Sequence, residues 1–470
     1  MNRKRSICIK SVLMSGLLLG FGAAAFGTDY YLDATGGSDV NNGTSPGSAW
    51  QTLSEINSRD FAPGDRILFK RGETFTGMLD LRGETGAAGS PILAGSYGTD
   101  PNQAVIDGTG QIAAIDLGST EYIEIENLEL TGAGILQTAF FWQSSGKIWD
   151  HYHFRNLHIH DTAGPGINMY VSNLGGYTFK DILVTNCVLE NIGGAGILIN
   201  KWAGEAVKTV DSIGPADLAR TPGTYTGVTA ANLSRTQIIP AVFTVTVDGT
   251  GTASISVTDK GAGYQENDNL VIADADLGGG GAADLTFQVN AVQPADPNGF
   301  YHEDVVIRDN IITHVDAAGM QVGKIRNGLI EGNVVTDPGR DYDAAGSGLW
   351  TWFCGTPTTT FVAQYNSFIG SQGDTDSCGA HIDIGCVNNI YQYNLSRENQ
   401  GGFMEILGKS SNCVYRYNIS INDGIRESAT NPYQADGRTL FLGGYTGRGG
   451  PQLGPYNNYI YNNTIYTRPE

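Results

Sequence analysis

The sequence predicts an all-β chain wound as a solenoid of stacked three-strand coils, with a small β module inserted part-way along. Three observations predict it. Gly fills 65 of 470 positions, about twice the usual share, and only Gly takes positive φ without cost, so tight turns must be many. Charged residues are only 16%, and after the first 27 residues short period-2 runs replace helix-period stretches. Third, short strands ending in Asn plus an apolar or small residue recur along the chain, and such a repeat is the mark of stacked units.

The recurring Asn residues are Asn127, Asn156, Asn186, Asn310, Asn333, Asn366, Asn394, Asn418 and Asn463. Most neighbours are 23 to 33 residues apart, with gaps of 124 and 45. A Gly-led strand usually follows in the same cycle: GPGINMY, GAGILIN, AAGMQVG, GSGLWTW, CGAHIDI and GGFMEIL. Asn at one fixed place per coil can stack into a ladder, each amide bonding its own turn and the next amide. A β-sandwich with Asn-rich turns gives no reason for Asn to precede the same kind of strand each time.

Taken in order, residues 1–27 read as an export leader. Residues 2–10 are basic, 12–26 are apolar, and Ala25 and Gly27 are the small residues before a cut at Thr28. The expected location is therefore secreted, periplasmic or cell-surface. Residues 28–103 read as a capping end and first coil, and 104–203 as coils. The composition shifts over 204–298, where the Asn signature is lost and GAGYQENDNLVI and GGGGAADLTFQV appear. This is an inserted β module, tolerated because each coil touches only its neighbours, and it offers a surface for oligomer contacts. Residues 299–470 resume the coils. The chain stops straight after the Asn463 strand, so a closing cap is expected from elsewhere or from further sequence.

The net charge is −20, and every charged residue of the leader is basic. Such a surface repels nucleic-acid phosphates and anionic membranes, so neither is an expected partner. Beyond the leader no stretch is long and apolar enough to span a bilayer. Cys8 falls in the leader. Cys187, Cys354, Cys378, Cys386 and Cys413 remain: they could supply one disulfide but show no zinc spacing, and the plain reading is buried small hydrophobes.

The chemical lead is the stretch 378–407. In AHIDI, Ala380, Ile382 and Ile384 share one face, and His381 and Asp383 the other. In FMEI, Met404 and Ile406 face in, and Phe403 and Glu405 face out. Aligning the Gly-led strands places Trp352, Asp383 and Glu405 in one column, flanked by Trp350, His381 and Phe403. Earlier coils put Asn168, Tyr170 and Asn200 on the same face. Like charges on adjacent coils raise one pKa, leaving one acid protonated and one ionised. His381 could orient or share that proton. Trp350 and Trp352 offer flat apolar faces. Asp341, Asp343, Glu398 and Glu427 are turn residues that could line the same groove or simply form turns. The alternative for every one of these residues is a solvated sheet face.

The opening YYLDATGGSDVNNGTSPGSAWQTL, the repeats, and GAHIDIGCVNNIYQYNLSRENQGGFMEIL resemble exported right-handed parallel β-helix proteins of the pectate-lyase-like superfamily. The insert resembles modules of phage fibres and bacterial surface proteins. The superfamily resemblance implies a groove along one sheet where a polysaccharide lies and is cut. The expectation is hydrolysis by Asp383 and Glu405 with His381, without a cofactor. Trp350, Trp352, Asn200, Tyr170, Phe403 and Lys324 would form sugar subsites. One alternative is a calcium-dependent lyase of a uronate glycan, with Asp383 and Glu405 as metal ligands. Arg397 would then be the base, ahead of Lys324, Lys201 and Arg426. Another is a glycan-binding surface protein with no chemistry.

Overall fold

The computed structural model describes residues 27–139, 148–172, 178–202, 205–234, 240–261, 263–294, 301–341, 346–373, 376–426, 438–446 and 452–468. The leader expected over 1–27 lies outside them apart from Gly27. Among the described residues the chain is a right-handed parallel β-helix built from three parallel sheets of 12, 11 and 10 strands. One coil shows the order. Asn389–Gln392 joins the 12-stranded sheet, Leu395–Arg397 the 11-stranded sheet, and Gly402–Ile406 the 10-stranded sheet.

Inward residues alternate along each strand and stack from coil to coil. Phe361, Tyr391 and Tyr415 form one such column, with Tyr391 and Tyr415 stacked at 5.5 Å. At the first end, Trp50 is fully buried, stacks on Tyr30 at 5.6 Å and lies under the Arg59 guanidinium.

The Asn ladder forms at the turn between the 12- and 11-stranded sheets. The side-chain amide of Asn310 donates to Asn333 at 2.9 Å, Asn333 to Asn366 at 2.9 Å, Asn366 to Asn394 at 3.0 Å, Asn394 to Asn418 at 3.0 Å and Asn418 to Asn463 at 2.9 Å. Each amide also donates to a backbone carbonyl of the preceding coil, as Asn366 does to Ile330. The side-chain oxygen takes the backbone N–H of the preceding rung, as Asn366 takes that of Asn333. Both polar atoms of each Asn side chain are thereby used inside the wall, where an unmet one would cost about 1–3 kcal/mol.

Asn127, Asn156 and Asn186 are not rungs of this ladder. They sit one position earlier, at φ of 57°, 52° and 54°, while Leu128, Leu157 and Cys187 point inward and are buried. The Cys187 backbone N–H donates to Asn310 Oδ1, so the ladder begins at Asn310. Asn recurs at both positions because it tolerates the left-handed conformation as well as bonding turns. In later coils that left-handed position is taken by Tyr365, Tyr393 and Tyr417, whose rings stack at 5.2 and 5.4 Å.

The strands between Glu205 and Pro294 form two antiparallel sheets, of four and three strands, with their own core around Phe243, Tyr264 and Phe287. The solenoid continues across them. Strand Ile197–Trp202 pairs with Met320–Gly323, and Thr178–Thr185 with His302–Arg308. All five cysteines at 187, 354, 378, 386 and 413 are free thiols and buried, so no disulfide joins them.

Candidate active site

The site lies on the outer face of the 10-stranded sheet, near its later end. Two turns fix the strand that carries Glu405. The Ser371 N–H donates to Asn399 Oδ1, and the Asn399 amide donates to Asp423 Oδ1, a second short ladder before the sheet. At Gly379 a Cβ would stand 2.2 Å from Ser396 Oγ, so only Gly lets the strand Cys378–Ile382 lie so close to that turn.

The register differs from the expected columns in the last coil. Cys378 pairs with Gly402, Ala380 with Met404 and His381 with Glu405. Glu405 therefore stands beside His381, not beside Asp383. The expected anchor, Gly401, belongs to the turn, where its N–H donates to the Ser377 carbonyl. The shift is two residues, so Glu405 keeps its outer face. Gly402 at φ 145° breaks the alternation, and Phe403 turns inward, fully buried and edge-on to Tyr415 at 5.0 Å. Phe403 is thus a core residue and no subsite. One coil back, Trp350 pairs with His381 and Gly323 with Trp352.

His381 is the hub. It is 1% exposed, and three carboxylates surround it. Its Nδ1 lies 3.5 Å from Asp376 Oδ2, and its Nε2 lies 3.9 Å from Asp383 Oδ1 and 3.7 Å from Glu405 Oε2. Neither ring nitrogen has a hydrogen-bond partner among the described residues. Trp350 stacks on the imidazole at 6.0 Å and 3°, and its indole N–H donates to Asp383 Oδ2 at 2.9 Å. The Ile384 N–H donates to Asp383 Oδ1 at 2.7 Å. Among the described residues Glu405 accepts a hydrogen bond from the Cys378 thiol alone, at 3.6 Å, and burial keeps that thiol neutral.

These contacts separate the acids. Burial works against charge on His381, but Glu405, Asp376 and Asp383 outweigh it and push the imidazole up to about 9. Burial pushes Glu405 up to about 7; His381 opposes the rise, and the other two acids add to it. Burial also raises Asp383, against the pull of His381 and of its two hydrogen-bond donors. A carboxylate with good donors holds charge, and one without them holds a proton. Asp383 has two N–H donors that favour its charged form, whereas Glu405 has a neutral thiol beside it.

Asp376, His381 and Glu405 each offer a ligand atom, all within 4.8 Å of one another. An imidazole in that set suits a transition metal rather than calcium, which takes oxygen ligands.

Other expected residues fall as follows. Trp352 is 6% exposed and packs over Gly323, where a Cβ would stand 2.2 Å from its ring; it walls the groove rather than offering an open face. Tyr170 and Asn200 pair on adjacent strands of the same sheet; Asn200 lies three coils, about 14 Å, and Tyr170 four coils, about 19 Å, from the strand that leads into Asp383, and each is one coil further from Glu405. The Asn168 and Asn200 side-chain oxygens are buried without a partner among the described residues. Lys324 is buried beneath the Phe353 ring at 4.6 Å. Arg397 lies on the 11-stranded sheet, half exposed and 3.7 Å from Glu398. It is not in the groove and cannot serve as its base. Glu398 also pairs with Arg468 at 3.0 Å. Asp341 is exposed, Asp343 and Glu427 lie outside the described residues, and Lys201 pairs with Val171 one residue before the end of strand Ile197–Trp202. Arg426 is buried and donates to the Gly373 carbonyl at 2.6 Å, in the segment leading to Asp376. Asp376 and Cys378 were missed as site residues. They lie in or beside the irregular turn before the strand, where period-2 reasoning does not reach.

No family model matches the chain. A lacto-N-biosidase of Bifidobacterium longum subsp. longum is 24% identical over 502 residues, an alignment covering 94% of this chain and 27% of that enzyme. The chain is similar to that enzyme. It spans about a quarter of the curated relative's length. Two solved structures of a GH136 lacto-N-biosidase from Eubacterium ramulus share the fold, with TM-scores of 0.56 and 0.53 and 16% identity. Each covers 94% of this chain and 68% of the solved one.

Proposed function

We propose that the chain is the β-helix part of an exported glycoside hydrolase that cuts a glycan lying along the 10-stranded sheet. The observation that carries this reading is one buried imidazole with three carboxylates within 3.9 Å on the groove face. The likeness to a lacto-N-biosidase supports it and makes lacto-N-biose-bearing oligosaccharides the first substrates to test.

In this reading Glu405 donates its proton to the glycosidic oxygen as the bond to the anomeric carbon breaks. Asp383, ionised, stabilises or bonds that carbon. Glu405 then takes a proton from the water that releases the sugar. Both acids lie within 3.9 Å of the same nitrogen, which suits the ~5 Å spacing of retaining enzymes. His381 stays charged between them, and Asp376 holds that charge from the other side. Asn168 and Asn200 supply oxygens ready for sugar hydroxyl donors, beside Tyr170.

The test is a panel of lacto-N-biose-capped oligosaccharides with neutral and uronic polysaccharides. New reducing ends without an ultraviolet-absorbing unsaturated product support hydrolysis. An unsaturated product, or binding without cleavage of any glycan, overturns it.

A further inference from the structure

Four of the seven histidines fall in the stretch DHYHFRNLHIHD, residues 150–161, on a different part of the surface from the acids above. They form two pairs on the outer faces of two sheets. Each pair sits among carboxylates of the adjacent coils, and the two surroundings differ in one respect.

The first pair, His151 and His153, shares Glu124 and Asp181. A fixed cation already occupies this cluster. The Arg155 guanidinium donates to Glu124 Oε2 at 2.7 Å and to His153 Nδ1 at 2.6 Å. The second pair, His158 and His160, lies on strand His158–Thr162, between Leu128–Thr131 and Val188–Ile192 of the 11-stranded sheet. His158 pairs with Glu129 and His160 with Glu190, and the contacts cross diagonally. His160 Nε2 lies 3.1 Å from Glu129 Oε1, and His158 Nε2 lies 2.8 Å from Glu190 Oε1. Asp161 Oδ2 is 2.8 Å from His160 Nδ1. The imidazoles stack at 4.5 Å and 28°. Among the described residues no Lys or Arg pairs with Glu129, Glu190 or Asp161.

We propose that Glu129, His158 and His160, with Glu190 as fourth ligand, bind one borderline divalent transition ion of the zinc class. Glu129, His158 and His160 offer ligand atoms that all lie within 4.8 Å of one another, within reach of the ~2.0–2.2 Å bonds of a tetrahedral site after small rotamer changes. Two imidazoles and two carboxylates are the donor set that selects zinc, nickel or copper over calcium. His-X-His on a strand puts both rings on one face, and the flanking coils supply the acids. The ion would supply the cation that Arg155 supplies next door, and would clamp three consecutive coils.

The test uses the whole chain stripped with a chelator, then titrated with ZnCl2 by calorimetry and thermal unfolding. The His158→Gln/His160→Gln double variant is compared with His151→Gln/His153→Gln. The wild type and the His151/His153 variant are expected to take up about one more equivalent than the His158/His160 variant, and to gain Tm on binding. Co2+ added to the wild type is expected to give the visible bands of a tetrahedral site, a reading that needs no variant to fold. No saturable uptake, equal uptake in the His158/His160 variant, or a Co2+ spectrum of the hydrated ion overturns the proposal.

Discussion

His381 stands across the strand pair from Glu405, with Nε2 3.7 Å from Oε2. That neighbour relationship sets the buried imidazole beside one acid, and Asp376 and Asp383 close around the same ring. The consequences below can each be measured.

Removing either acid should stop the chemistry and spare binding. Glu405→Gln and Asp383→Asn are each expected to lower kcat by about 10²–10⁴, with KM changed little. Steady-state kinetics on the cleaved glycan checks this.

Activity should fall as pH rises. Glu405, held up to about 7, donates only while protonated, so kcat should decline above neutrality. Stability should fall in the same direction. The folded imidazole of His381 is raised from 6.5 to about 9, so its contribution is full below pH 6.5 and is lost on the way to 9. Thermal unfolding of the wild type should show Tm declining over that range, and His381→Gln should flatten the slope.

The ladder makes two Asn substitutions unequal. Asn366→Ala removes an amide that bonds Asn394, Ile330 and both nitrogens of Asn333. It strands several buried groups at about 1–3 kcal/mol each. Asn156 sits outside the wall at φ 52°, which Gly accepts, so Asn156→Gly should cost no more than about 0.5 kcal/mol. Urea denaturation of both variants gives the comparison.

Trp350→Phe keeps a ring over His381 but deletes the donor to Asp383. Asp383 should then hold charge less readily, and kcat/KM should drop about tenfold, the worth of roughly one charged hydrogen bond. The pH-rate profile should shift its acid limb upward.

Much of this was legible in the sequence, and the exceptions have physical causes. The repeat fixes coil length, and the Gly-led strands fix which residues face outward, so His381, Asp383, Glu405, Trp350 and Trp352 were found on one face. The final register was not legible because Gly401 and Gly402 offer two anchors, and only backbone geometry shows that the first is in the turn. Phe403 turned inward for the same reason. Arg397 was read as a turn residue near the groove, yet it ends a strand of another sheet. Asp376 gave no periodic signal, since it lies in a turn. Its presence near His381 depends on where the turn folds back, which spacing alone does not encode.

Hydrolysis by the His381 carboxylate cluster is tested most directly by glycan cleavage with purified wild type and Asp383→Asn, followed by reducing-end release and ultraviolet absorbance on one substrate. Reducing ends are expected from the wild type with no unsaturated product, and near-complete loss is expected in Asp383→Asn with glycan binding intact. Undiminished cleavage by Asp383→Asn would contradict it.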